Sequence, residues 1–114
     1  MDRHAHLQFV LGVKNAMPAI ARLLPLLVEE ARTALPDMTW AAAGIGRHQE
    51  EVAAWALGLG GHIRTGLEDN IRVAKDRLAS GNAELVRRAA DLVAAHGRSV
   101  ATPAEARAIL RLPT

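Results

Sequence analysis

Gly60-Gly61-His62-Ile63-Arg64-Thr65-Gly66-Leu67-Glu68-Asp69-Asn70 is the stretch on which the reading of this chain turns. The glycine pair suits the stop of a preceding helix, and His62 to Leu67 suits a short strand. Side chains alternate faces along a strand. His62, Arg64, Gly66 and, if the strand persists, Glu68 therefore point one way, while Ile63, Thr65 and Leu67 point the other. Such a strand packs helices on its apolar side and carries Arg and Glu on its inner side. Core packing alone explains that poorly, because unpaired charges are costly to bury.

Upstream, Leu7-Gln8-Phe9-Val10-Leu11-Gly12-Val13 is rich in β-branched and aromatic residues and reads as a buried strand. Ile20, Leu23, Leu24 and Leu27 fall at helical spacing, with Glu29 and Glu30 on the outer face. Pro18 suits a first helical turn, whereas Pro25 sits badly in a helix interior, so this helix starts late or is kinked. Met38 to Gly46 reads as a second strand, although its alanines disfavour one. Val52, Trp55, Ala56 and Leu59 give a second helix, and Leu85, Val86, Ala89, Leu92 and Val93 a third, ended by Gly97. Thr102-Pro103-Ala104-Glu105 combines an N-cap, a proline at the first helical position and a capping-box glutamate, opening a C-terminal helix expected over residues 103–111. Strand and helix thus alternate with connections suited to parallel pairing. Two folds remain open: a doubly wound sheet, or a section of an eight-fold α/β barrel.

With 114 residues, half of them apolar, the chain makes one small domain with its own core. The absence of cysteine excludes disulfides and thiolate metal sites. A pI of 9.9 overstates a net charge of only +2, because there is no tyrosine or cysteine and Lys14 and Lys75 are the only lysines. Arginines are dispersed beside acids without aromatic interleaving, so no nucleic-acid partner is expected. The N-terminus lacks a signal pattern and no apolar run approaches bilayer length, so a cytoplasmic protein without a membrane partner is expected.

In a parallel barrel, active sites are built at the C-terminal ends of the strands, where Glu68 and Asp69 fall. Adjacent carboxylates beside an arginine divide into two roles, one ligating a metal and the other moving a proton. From the residues alone an equal alternative stands: a buried Arg-Glu pair with Asp69 capping the next helix. His4-Ala5-His6 has the spacing of a chelating pair but precedes the first strand, away from that end, and reads as a solvated cluster. His48 and His96 read as helix-surface residues, and His62 as a packing or supporting group at the strand start.

The segment Gly60 to Asn70, followed by Asn82-Ala83-Glu84-Leu85-Val86 and by Val100 to Arg107, resembles the terminal signature of the β-keto acid cleavage enzymes, the family of the 3-keto-5-aminohexanoate cleavage enzyme. The resemblance extends upstream through Gln8 to Val13 and Trp40 to Gly44-Ile45-Gly46-Arg47, so it covers nearly the whole chain. It implies an α/β fold made of the last three β/α units, strands six to eight, of a (β/α)8 TIM barrel, with residues 1–114 as a single partial domain. The implied activity is a metal-dependent acyl transfer in which a β-keto acid and acetyl-CoA give acetoacetate and a new acyl-CoA. By the same resemblance Glu68 ligates a divalent metal, usually zinc. Asp69 deprotonates the keto acid with help from Arg64, and the metal stabilises the resulting enolate.

The family's His-x-His metal ligands and the groups that hold the substrate carboxylate belong to an earlier part of the barrel. Gly12-Val13-Lys14-Asn15-Ala16-Met17 also departs from the glycine-rich loop expected after the sixth strand. Three parallel strands leave both sheet edges unpaired, so the expected partners are a second copy of the chain or a complementing barrel half. The isolated chain is then expected to be inactive. A non-catalytic oligomeric interaction module, or a remnant of such an enzyme, is the competing expectation.

Overall fold

The computed structural model describes residues 4–113. Strand β1 (His6–Leu11), helix α1 (Leu23–Ala34), strand β2 (Thr39–Gly44), helix α2 (Gln49–Gly58) and strand β3 (His62–Ile63) come first. They are followed by β4 (Arg72–Ala74), β5 (Arg77–Leu78), α3 (Asn82–Ala95) and α4 (Pro103–Ile109). The first three strands form one parallel sheet in the order β1-β2-β3, with Leu7 opposite Trp40, Phe9 opposite Ala42 and Ala42 opposite Ile63. The expected alternation of parallel strands and helices is therefore present.

The register explains which face is dry. Leu7, Phe9, Leu11, Trp40, Ala42 and Ile63 share the face that meets Leu24 and Val28 of α1 and Val52 and Ala56 of α2. Leu11, Leu24 and Val52 are fully buried there, each contributing roughly 1.5–3 kcal/mol. Trp40, 2 % exposed, packs edge-on against Phe9 with ring centroids 5.9 Å apart. Gly61 lets that indole fit, since a Cβ at this position would lie 2.4 Å from the ring.

The opposite face explains the alanines. Gln8, Ala41, Ala43 and Arg64 lie on it by alternation, and the Arg64 guanidinium reaches across β2 to donate to Gln8 Oε1 at 3.2 Å. Small side chains on the middle strand leave room for that arm. Both faces of β2 are covered, so strand formation there rests on tertiary burial rather than intrinsic propensity.

Several expectations need correction. The strand expected over residues 62–67 has only His62–Ile63 in the ladder, with one further bond from the Arg64 N–H to the Ala42 carbonyl at 3.1 Å. The chain then turns at Gly66, whose φ is +148°. Helix α1 starts late, at Leu23, which puts Pro25 in the first turn where its missing N–H costs nothing; Pro18 lies outside the helix. The antiparallel hairpin β4–β5 was not expected, because strands of three and two residues are too short to show alternation. Helix α4 has the expected capping box, with Thr102 accepting from the Glu105 N–H at 3.1 Å and Glu105 accepting from the Thr102 N–H at 3.0 Å. It ends at Ile109 rather than Arg111. Among the described residues, no helix is long and apolar enough to cross a membrane.

Candidate functional site

Beyond the C-terminal end of β3 the backbone folds into a tight turn, with the Asp69 and Asn70 N–H groups both donating to the Gly66 carbonyl at 3.2 Å. Strand alternation does not carry Glu68 to the polar face. The turn does, and it brings Asp69 there as well. Three contacts hold the turn in place. The Gly46 N–H donates to the Asp69 carbonyl at 2.6 Å, and the Leu67 N–H to Asn82 Oδ1 at 2.7 Å. Gln49, 6 % exposed, donates to the Gly66 carbonyl at 3.4 Å while accepting from the Thr65 hydroxyl at 2.9 Å.

Arg64 is the hub of this site. Its Nη2 lies 3.1 Å from Glu68 Oε2 and 3.2 Å from Asp69 Oδ1, and its Nε lies 3.0 Å from Asp69 Oδ2. The two carboxylates differ sharply in setting: the Asp69 side chain is 6 % exposed and that of Glu68 is 85 % exposed. The buried ion pair is thus Arg64 with Asp69, not Arg64 with Glu68. Asp69 caps no helix, and α3 begins after Gly81 without a side-chain cap. Although Asp69 Oδ2 is in ion-pair range of Nε, it has no aligned hydrogen-bond donor. Both carboxylate oxygens of Asp69 thus face the Arg64 guanidinium, which holds at a fixed place beyond β3 a group whose chemistry is to accept a proton.

Sequence reasoning missed Gln8, Gln49 and Gly46. Gln8 had a faint signal as the one polar residue inside an apolar strand. Gln49 and Gly46 act through contacts made only when the chain folds. Gly44 belongs with them, because a Cβ there would lie 2.2 Å from the His48 carbonyl oxygen and block the turn out of β2.

The histidines lie in separate places. His48 is half-buried rather than on a helix surface; its ring lies 3.0 Å from where a Cβ on Gly12 would stand, and its Nδ1 lies 3.5 Å from Glu51. His4 Nε2 and His6 Nδ1 both meet the Thr39 hydroxyl, at 3.1 and 2.8 Å, at the opposite end of the sheet from Asp69. Burial lowers the pKa of His6, with His4 adding to the effect. Burial also lowers that of His62, aided by Arg98 and His6. His96 is exposed and bonds the Leu92 carbonyl of its own helix. Among the described residues, no three His, Asp or Glu side chains are placed to hold a metal ion.

Comparison with known proteins matches this framework to one family. The sequence model of the beta-keto acid cleavage enzymes matches residues 1–112. The 3-oxoadipate:acetyl-CoA acetyltransferase of Cupriavidus necator is 53% identical over 114 residues, all of this chain and 40% of that protein. The 3-keto-5-aminohexanoate cleavage enzyme of Fusobacterium nucleatum is 48% identical over 113 residues, 98% of this chain and 39% of that protein. A 3-dehydrocarnitine:acetyl-CoA trimethylamine transferase of Rhizobium meliloti is 42% identical over 76 residues, 67% of this chain and 25% of its own length. The chain thus spans about 40% of the length of the first two relatives. On the match over residues 1–112 and these identities, the chain belongs to the β-keto acid cleavage enzyme family.

Proposed function

We propose that this chain supplies the proton-transfer residues of an acyl exchange between a β-keto acid and acetyl-CoA, giving acetoacetate and a new acyl-CoA. The observation that carries the reading is the buried Asp69 carboxylate beyond the end of β3, with Arg64 Nη2 3.2 Å from its Oδ1 and Arg64 Nε 3.0 Å from its Oδ2. The names of the relatives, which join keto acids to acetyl-CoA, support the reaction class.

Asp69 takes a proton from the carbon between the keto and carboxylate groups of the substrate. Arg64 fixes the aspartate in line and balances its charge before the proton arrives. Gln8, reached across the small face of β2, keeps the guanidinium extended toward the turn. Burial of Asp69 excludes water that would compete for the proton.

Strands β1, β2 and β3 act in this reading as the sixth, seventh and eighth strands of a (β/α)8 barrel, with the Gly66–Asp69 turn on its catalytic face. Glu68 is the residue offered to a divalent ion, zinc being the expected one. The described residues do not complete such a site: one exposed carboxylate, already in contact with Arg64, binds zinc weakly. The other ligands come from outside this segment, and the isolated chain is inactive without them or a complementing barrel half.

The test is a chimera in which these 114 residues replace the matched residues of the Cupriavidus necator relative. Acetoacetate formation from acetyl-CoA and a panel of β-keto acids should be measurable, and Asp69→Asn should lower it by about 10²- to 10⁴-fold. An Asp69→Asn chimera as active as its parent would refute the assignment.

A further inference from the structure

A groove of about 910 Å³ runs beside Asp69, between the turn after β2 and the β4–β5 hairpin. Its charges are unevenly matched. The acids that line it are already engaged: Glu50 with Arg88 at 3.0 Å, and Glu68 and Asp69 with Arg64. Neither Arg88 nor Arg64 lines the groove, so these acids are neutralised from behind. The lining cations Arg47, Arg72 and Lys75 are exposed, and none has a carboxylate within ion-pair distance among the described residues. Asp76, in the hairpin turn, does not line the groove. Apolar surface lies alongside, with Ile71 56% and Leu67 36% exposed.

We propose that this groove binds the phosphates of the acyl-CoA through Arg47, Arg72 and Lys75, with the pantetheine arm lying over Leu67 and Ile71 toward Asp69. The inference rests on the proposed acyl exchange and names residues that bind its co-substrate. CoA presents a pyrophosphate and a 3′-phosphate at one end and a long, weakly polar arm at the other. The groove brings cations, apolar side chains and the Asp69 carboxylate into one lining. Arginine suits phosphate oxygens because its planar fork donates two parallel hydrogen bonds. Cations with no carboxylate partner also attract a polyanion without first breaking an ion pair.

The test is calorimetric titration of the purified chain with CoA, 3′-dephospho-CoA, pantetheine and ATP. Variants Arg47→Glu and Lys75→Glu are compared with Arg22→Glu as a charge control outside the groove, each checked for folding by circular dichroism. CoA should bind more tightly than 3′-dephospho-CoA and ATP. Each groove reversal should weaken CoA by about tenfold or more, with pantetheine unaffected and the control unchanged. CoA that fails to bind, equal loss in the control, unchanged affinity in the groove variants, or ATP binding as well as CoA would each overturn the proposal. Binding is read here without turnover. A chain that binds CoA through these cations, in a chimera that exchanges no acyl group, counts only against the proposed reaction. Acyl exchange in the chimera with KM for acetyl-CoA unmoved by the reversals counts only against the groove.

Discussion

Three glycines at the end of α2 should respond to alanine with different signs. At Gly61 an added Cβ would lie 2.4, 2.5 and 2.6 Å from three atoms of the Trp40 ring. Ordinary carbon contacts are about 3.5–4.0 Å, so the ring or the backbone must shift by roughly 1 Å. Trp40 has little room to move, being 2 % exposed and wedged against Phe9. Overpacking of this kind costs about 1–3 kcal/mol, and the confinement of the ring puts Gly61→Ala in the upper half, about 2–3 kcal/mol. For a domain of this size that lowers Tm by roughly 8–20 °C. Gly60→Ala meets no neighbour but has φ +83°, a left-handed conformation that costs a side chain about 1–2 kcal/mol. Gly58→Ala meets open space at the last position of α2 and should gain about 0.5 kcal/mol from helix propensity. Thermal unfolding followed by circular dichroism and by the fluorescence of Trp40 and Trp55 measures all three. A Gly61→Ala chain as stable as Gly60→Ala, or one whose Trp40 emission is unchanged, would refute the packing argument.

Arg98 ties the C-terminal segment to the end of α2 and the connection into β3 by donating to the Leu57 carbonyl at 3.3 Å and the Gly61 carbonyl at 2.8 Å. Arg98→Ala should therefore lower stability by about 1.5–3 kcal/mol in urea unfolding, the range for hydrogen bonds from a charged donor. Acidification acts through His6 and His62, whose folded pKa values lie below the ordinary 6.5 because burial disfavours their charged forms. Their neutral forms stabilise the fold above the unfolded value near 6.5, and that contribution is lost as pH falls from there through the lower folded values. Urea midpoints should fall between pH 7.5 and pH 5.5, and a His62→Gln chain should show a shallower fall; an equally steep fall in that chain would refute the role of His62.

The alternation of Leu7, Phe9 and Leu11 is visible in the sequence because a strand covered on one face must repeat every second residue. The Thr102-Pro103-Glu105 cap is visible because its partners are neighbours along the chain. Ala41 and Ala43 argued against a strand on propensity alone, and their use appears only when Arg64 is seen to cross them toward Gln8, a residue far away in sequence. Arg64 was placed correctly by period-two reasoning, but Glu68 and Asp69 reach it through a turn at Gly66, which periodicity does not encode. His48 looked like a surface residue because nothing local signals its approach to Gly12. The hairpin β4–β5 was hidden for another reason, its strands being too short to have a period.

The central claim, that Asp69 removes the substrate proton, is tested most directly by isotope exchange in the Cupriavidus necator chimera. A β-keto acid is incubated in D2O without acetyl-CoA, and deuterium uptake at the carbon between its carbonyl and carboxylate is followed by NMR against the uncatalysed background. The parent chimera should accelerate uptake, and Asp69→Asn should return it to background, while Arg22→Glu, which lines no part of the groove beside Asp69, should leave it unchanged. Exchange that persists in the Asp69→Asn chimera would contradict the account and move the base to another residue.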